Sequence, residues 1–439
     1  METQPPAPKA ITPFARTMRN AGILLGGSGI GAVLGFLTTV FAARQLGLQN
    51  YGILLLIHSF AGALATGTRL QTWQPMVQFG TALYEAQERS RFQTLLRHCL
   101  LLDGAGAMAA VVIGVPTSLL CSHYLGWGGY GKTTALYVTC ALFMNTGATI
   151  GVMQITNRYK MAVIADNMGA LIRFVGALMG FLLHWPLTYF LIFWYFSIVT
   201  AFLADGLLLW RLTKLIPSLE GFRLTSVPWL SRQFGFWRLL LVTSADQALI
   251  NLASRVDILI VGSLLGGAGA ALYRVATQVS DALMQPAIFL SPALYPEFVR
   301  LREQRDWANL RRITWRICRL LSAFSVPVLI VMYFAGATIL ALMLGEHIPH
   351  TRELLLWMTA ASVIGLWTIP LEPLLISLGR AKTVLHGRLW LLLPCLPLFY
   401  ILTRMYGVDG AAIVVFIRST GIFMTRFVPF LIMAEAKLP

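Results

Sequence analysis

The chain has 439 residues, of which 57% are hydrophobic and only 12% charged, and its formal net charge is +16. Soluble domains carry roughly 25% charged residues, so this composition excludes a water-soluble globular protein. Apolar runs of about 20 residues recur from end to end, and each is long enough to cross a hydrocarbon core about 30 Å thick. The sequence therefore predicts an all-α polytopic membrane protein.

Twelve transmembrane helices are predicted in chain order. The first begins near Asn20 and has no small-residue cleavage pattern after it, so it is interpreted as a retained helix and not as a signal peptide. After a tail over 1–19, six spans form a predicted N-terminal lobe over 20–225, and six form a C-terminal lobe over 226–439. The predicted spans are 20–43, 51–79, 98–121, 133–153, 163–183, 187–210, 236–264, 270–295, 317–340, 353–378, 388–405 and 411–433.

The distribution of basic residues predicts the orientation of these spans. Of the 34 Lys and Arg residues, 24 lie outside the spans on the side that carries both termini. The opposite side has only Arg44, Lys132, Arg352 and Arg404. By the positive-inside rule, both termini are expected in the cytoplasm. The positive charge is therefore interpreted as a topology signal, and no nucleic-acid partner is expected.

Residues 126–133 read GWGGYGKT, which matches the G-x-x-x-x-G-K-[ST] pattern of nucleotide-binding phosphate loops. Such a loop needs a strand before it, a helix after it and a soluble α/β domain around it. Here the string falls in the short outer hairpin between the third and fourth spans. Its glycines, Gly126, Gly128, Gly129 and Gly131, are predicted to be turn residues, and no nucleotide or other cofactor is expected.

The five cysteines lie in or beside apolar runs, and none of them forms a C-x-x-C pair. This pattern predicts buried free thiols and indicates neither a metal site nor a disulfide framework.

Two passages in corresponding positions of the halves are alike. AARQLGLQNYGILLL and VDILIVGSLLGGAGAALYRVA each contain Leu-Gly, a short turn and a small residue five positions on. The glycines are Gly47 and Gly266, and the small residues are Gly52 and Ala271. Similar halves of the same orientation favour a parallel repeat with a central cavity between two bundles.

These passages, together with SPALYPEFVRLREQRDWANLRR and GVDGAAI, resemble the Wzx-type polysaccharide and O-antigen flippases of the multidrug/oligosaccharidyl-lipid/polysaccharide exporter superfamily. The resemblance covers almost the whole chain; Ala271 departs from it, because the family more often has Gly there. It implies two six-helix lobes around a cavity that opens alternately to each side. It also implies a lipid-linked oligosaccharide as cargo, moved on a polyprenyl diphosphate across the bacterial inner membrane, with glycosyltransferases and a polymerase as neighbours.

Charged and polar residues inside the spans indicate a polar pathway, because lipid-facing charges are costly. Arg274, Gln278, Asp281 and Gln285 recur at intervals of 4, 3 and 4, which places them within about 40° on one face of span eight. A buried helix contact is the plainer interpretation. A wetted cavity wall is favoured, because four polar side chains need many partners in a dry contact.

Arginine suits the implied cargo, because its planar fork pairs with phosphate in a bidentate manner. The candidate substrate-binding residues are Arg69, Arg173, Arg255, Arg274, Gln278, Gln285, Asn251 and Arg418. Without a nucleotide site, directed transport needs an ion gradient, and a buried carboxylate can carry a proton. The candidate ion-coupling residues are Asp246, Asp257 and Asp281.

Several other functions were weighed against this prediction. A drug or cation antiporter of the same superfamily is the main alternative, and the arginines inside the spans disfavour it. A peptidoglycan-precursor flippase usually has more than twelve spans. A polymerase or ligase, which would be an enzyme, normally needs a long periplasmic loop, and the outer loops here are short.

Overall fold

The computed structural model describes residues 13–122, 124–156, 158–223, 234–282, 294, 298, 301–302, 304–346, 348, 351–378 and 380–435. These ranges are almost entirely helical and contain no strand. In chain order the helices are α1 (Pro13–Thr68), α2 (Trp73–Glu85), α3 (Arg89–Leu120), α4 (Gly131–Val138), α5 (Gly147–Ile155), α6 (Tyr159–Leu182), α7 (Leu187–Leu215), α8 (Phe234–Ala282), α9 (Trp307–Leu344), α10 (Thr351–Thr368), α11 (Leu371–Ser377) and α12 (Ala381–Glu435).

Three of the long helices, α1, α8 and α12, fold back on themselves. In α8, the hydroxyl of Tyr273 lies 3.5 Å from the carboxylate of Asp257. A continuous helix would separate these two residues by about 24 Å, because each residue adds 1.5 Å. In α12, a Cβ on Gly410 would overlap the backbone of Leu402. Each long helix is therefore a hairpin with a first and a second arm.

The three hairpins reverse at glycines with nearly the same backbone conformation. The (φ, ψ) angles are (69°, 169°) at Gly47, (72°, −169°) at Gly266 and (63°, −140°) at Gly407. This region is essentially restricted to glycine, because a Cβ would clash with the backbone. The Leu-Gly repeat seen in the sequence therefore marks the first two hairpins, and the glycine of GVDGAAI makes a third.

The described residues contain nine helical stretches that are long and apolar enough to cross a membrane. Three of these stretches contain the hairpin glycines and so comprise two arms each. With the arms counted separately, the apolar segments lie where the twelve spans were predicted. The all-α polytopic fold is confirmed, whereas the division into lobes at residue 225 stays a prediction.

Two predicted spans are interrupted. The predicted span 51–79 breaks at 69–72, between α1 and α2, where the backbone N–H of Gln71 donates to Ser244 Oγ at 2.8 Å. The predicted span 133–153 narrows into a 3₁₀ helix at Thr139–Phe143 and restarts as α5 at Gly147. A break inside a membrane is tolerated where neighbouring side chains satisfy the freed backbone groups.

The second arm of α1 packs closely and antiparallel to the first arm of α8 and against the turn that follows it. We call this contact the α1–α8 seam. It pairs Gln49 with Ala268, Gly52 with Gly267, Leu56 with Gly262 and Gly62 with Arg255. The two repeated passages of the sequence therefore meet each other in space.

Large apolar side chains cover much of the outer surface. Val112, Phe334 and Trp390 are 64%, 73% and 76% exposed in the isolated chain. Exposed apolar side chains of this size on long helices are the surface that lipid covers in a multi-pass membrane protein.

The GWGGYGKT string lies between helices and not after a strand. α3 precedes it, a short 3₁₀ helix covers Gly128–Tyr130, and α4 begins at Gly131. Gly126 and Gly128 have φ angles of 86° and 51°, which confirms the prediction of turn residues for these two. Gly129 and Gly131 lie in helical turns instead.

All five cysteines are free, as predicted: Cys99, Cys140 and Cys395 are buried, and Cys121 and Cys318 are half-buried.

Candidate functional site

A cavity of about 540 Å³ lies among the helices of the N-terminal half. The two arms of α1, the segment 143–146, α6 and α7 line it, and Arg255 of α8 completes the wall. Both arms of α1 reach the cavity because the chain reverses at Gly47. Gly31 and Gly35 of the first arm therefore line it together with His58 and Gly62 of the second arm.

Three arginines line this cavity: Arg69, Arg173 and Arg255. None of the ion pairs among the described residues involves any of them. The Nε atoms of Arg69 and Arg173 are buried and have no hydrogen-bond partner in the described part of the chain. The Arg173 guanidinium lies 5.9 Å from the ring centroid of Trp194. The cavity wall therefore carries positive charge that carboxylates in the described ranges do not neutralise by direct pairing.

Two further titratable side chains line the cavity. Nδ1 of His58 lies 2.8 Å from the hydroxyl of Tyr137, and Arg173 and Arg255 are close enough to His58 to act on it electrostatically. Asp205 of α7 also lines the cavity and has an interaction of its own within the chain.

Asp103 of α3 holds the broken helix that forms one side of the cavity. Its carboxylate accepts hydrogen bonds from Thr72 Oγ1 at 2.6 Å and from the backbone N–H of Ala148 at 2.7 Å. The second of these bonds caps the N-terminus of α5, where backbone donors lack helical partners. Asp103 thereby fixes the neighbouring residues Asn145 and Thr146, which face the cavity.

The described polar residues of the second arm of α8 lie outside the cavity lining. Arg274 and Asp281 are exposed in the isolated chain, and Thr39 Oγ1 of α1 donates to Gln278 Oε1 at 3.1 Å. Arg274 is close enough to Arg255 for the two positive charges to interact. Within the predicted polar stripe, Gln278 thus contacts α1 beside the cavity.

Two carboxylates within the helices of the C-terminal half, Asp257 and Glu372, form ion pairs with arginines. Arg418 Nη2 donates to the carboxylate of Asp257 at 2.7 Å, and the side chain of Asp257 is only 1% exposed. Glu372 pairs with Arg388 at 3.2 Å and with Arg426 at 3.0 Å. The structure therefore places Arg418 and Asp257 together, and neither of them lines the cavity. The transport roles of Arg418 and Asp257 stay predictions.

The structure does not describe the side chains of three predicted site residues. Gln285 lies outside the described residues. Asn251 and Asp246 belong to α8, and their side chains are also outside the description.

Comparison with known proteins agrees with this architecture. Residues 132–349 match the family described as polysaccharide biosynthesis protein. Inner membrane protein YghQ of Escherichia coli (strain K12) is 24% identical over 310 residues, which cover 67% of this chain and 84% of that protein.

Solved structures share the fold at low sequence identity. A multidrug resistance MATE family transporter of the MOP superfamily, in an inward-facing conformation, superposes with a TM-score of 0.73 at 14% identity, covering 92% of this chain and 96% of its own. The lipid II flippase MurJ, in an inward closed conformation, gives a TM-score of 0.66 at 14% identity, covering 93% of this chain and 87% of its own. The chain therefore has the fold of the MOP superfamily of transporters and flippases, and its sequence resembles that of polysaccharide biosynthesis proteins.

Proposed function

We propose that this protein moves polyprenyl-diphosphate-linked oligosaccharides from the cytoplasmic to the periplasmic leaflet of a bacterial inner membrane, for the synthesis of a surface polysaccharide. Two findings support a lipid-linked saccharide as cargo. The chain matches the polysaccharide biosynthesis family over residues 132–349, and it shares its fold with a lipid II flippase. Movement by alternating access, with the cavity exposed to each side in turn, follows from the same resemblance.

The observation that carries this proposal is the set of three arginines that line the cavity and form no ion pair with any described residue. Charges held out of water are normally paired, and Arg418 and Arg426 follow this rule. Arg69, Arg173 and Arg255 form no ion pair within the described ranges, and a diphosphate entering the cavity would offer acceptors to the free Nε donors of Arg69 and Arg173. A charge-assisted hydrogen bond of this kind contributes roughly 1.5–3 kcal/mol.

Export of cationic drugs is the alternative that the MATE fold suggests, and the same arginines disfavour it. A cation in this cavity would meet three positive side chains at close range, and like charges in a poorly solvated site repel each other strongly. A cationic cargo would call for free carboxylates in the lining, where the described residues offer only Asp205, which is already engaged.

Directed movement requires an energy source, and we propose an ion gradient. Asp246, Asp257 and Asp281 remain the candidate coupling groups. Because Asp257 Oδ2 accepts a hydrogen bond from Arg418, a proton or cation that binds this carboxylate would compete with the guanidinium for its negative charge.

The test is complementation of a strain that lacks the gene. Arg173→Ala should reduce surface polysaccharide strongly, because the loss of one charge-assisted hydrogen bond weakens binding about 10- to 150-fold. Arg173→Lys should restore only part of the activity, because lysine offers a point charge in place of a fork. Lys132→Ala is the matched control, because Lys132 is exposed in the GWGGYGKT turn. Protein abundance is measured in parallel.

Normal polysaccharide from each of the alanine variants of Arg69, Arg173 and Arg255, at normal abundance, would contradict the proposal. Resistance to cationic drugs conferred by the wild type would favour the antiporter instead.

A further inference from the structure

Arg255 reaches the cavity from a different hairpin than the other lining residues. It belongs to the first arm of α8, whereas the other residues of the wall lie between Gly31 and Asp205. Its guanidinium lies directly against the backbone of Gly62 in α1. A Cβ at Gly62 would overlap Nη1 and Cζ of Arg255, so a side chain at this position would push the guanidinium out of its present place.

The rest of the α1–α8 seam is also built on glycine. A Cβ at Gly52 would overlap the backbone of Gly267, and a Cβ at Gly262 would overlap the side chain of Leu56. Gln49 Oε1 accepts a hydrogen bond from the backbone N–H of Ala268 at 3.0 Å. The two arms therefore touch backbone to backbone, and the position of Arg255 in the cavity depends on this close approach.

We propose that Gly62 is a positioning residue that admits Arg255 to the cavity, so that closing the α1–α8 seam raises the affinity of the cavity for a diphosphate. This inference rests on the proposed function. With the seam closed, three arginines face the cargo. When the arms separate by a few ångströms, Arg255 withdraws and two remain, because a hydrogen bond is lost beyond about 3.5 Å.

The coupling works in both directions. A ligand that binds better when the seam is closed also stabilises the closed seam, by the same free energy. Opening of the seam during transport would thus lower affinity at the moment of release, without any chemical change in the cargo.

The experiment measures binding of inorganic pyrophosphate to the purified full-length protein by calorimetry. Gly62→Ala and Arg255→Ala should each weaken binding about ten- to a hundred-fold, which corresponds to the loss of one charge-assisted contact. Gly62→Ala added to Arg255→Ala should weaken binding no further, because the methyl group then meets no guanidinium. The control is Gly67→Ala, in the same arm, where a Cβ meets nothing within 4 Å and the affinity should not change.

The outcomes separate this inference from the proposed function. If the wild type does not bind pyrophosphate, the anion site fails, and both proposals fall. If the wild type binds and Gly62→Ala binds equally well, only the role of Gly62 is overturned. If Gly62→Ala does not fold, the double variant decides: folding restored by Arg255→Ala supports the proposal, and a second failure contradicts it.

Discussion

At the scale of single residues, five arginines inside the spans fall into two groups. Arg418 and Arg426 form ion pairs with carboxylates in the C-terminal half, and these pairs connect helical segments of that half. Arg69, Arg173 and Arg255 face a cavity and have no ion-pair partner within the described ranges. A charge held partly out of water without a counter-ion is costly, and an anionic ligand in the cavity would offset that cost.

We predict that Arg418→Ala destabilises the protein. Its loss leaves the carboxylate of Asp257 buried and unpaired, and breaking a buried ion pair in this way costs about 3–5 kcal/mol. The thermal unfolding midpoint in detergent should therefore fall clearly, and Asp257→Asn in the same variant should restore much of the loss.

The matched control is Arg404→Ala, in the same helix, because Arg404 is exposed. Equal unfolding midpoints for Arg404→Ala and Arg418→Ala would show that the buried pair does not stabilise this fold.

The sequence revealed the cavity arginines but not the residues that hold them in place. Charges inside apolar runs are conspicuous, so Arg69, Arg173 and Arg255 could be predicted one by one. Gly62 gives no such signal, because its role depends on a contact with a residue far along the chain. The ion pair between Asp257 and Arg418, which are 161 residues apart, could not be predicted either, because no pattern in a single sequence indicates which distant helices contact each other.

At the scale of elements, the protein uses one device three times. Gly47, Gly266 and Gly407 each reverse a long helix in a conformation that is essentially restricted to glycine. A small residue follows five positions later in each case, and Ala271 and Ala412 are completely buried there. The repeat noted in the sequence therefore marks helical hairpins. The spacing of apolar residues alone predicts neither that the chain reverses nor at which residue it does so.

We predict that Gly266→Ala destabilises the fold by about 1–3 kcal/mol, because alanine adopts this backbone conformation only with strain. The measurement is the thermal unfolding midpoint of the purified protein. Gly104→Ala in α3 serves as the control, because a Cβ there meets nothing within 4 Å, and alanine favours a helix over glycine by about 1 kcal/mol. A Gly266→Ala variant as stable as the control would refute the hairpin explanation.

The sequence contains a local signal for only one of the two interruptions within the predicted spans. Asn-Thr-Gly at 145–147 is a turn signal inside an apolar run, and it could have indicated the break before α5. The break at 69–72 has no such signal, since Ser244 and Asp103 stabilise it from other helices. The end of α1 and the start of α2 are therefore set by tertiary contacts and not by a local sequence signal.

At the scale of the whole molecule, the orientation in the membrane remains a prediction from the distribution of Lys and Arg. Fusions after residues 128 and 268 should activate a periplasmic reporter, and fusions after residues 220 and 306 a cytoplasmic one. A cytoplasmic signal at residue 128 would invert the proposed direction of transport and place the GWGGYGKT turn on the side that contains nucleotide.

The central claim concerns an anionic lipid-linked cargo, and reconstituted flipping tests it most directly. The wild type in vesicles should carry a fluorescent polyprenyl-diphosphate-linked saccharide between leaflets, as read by a reductant that does not cross the membrane. Arg173→Ala should slow this movement by roughly tenfold or more. A protein that leaves this lipid in place and instead moves a cationic dye across the same vesicles would contradict the account.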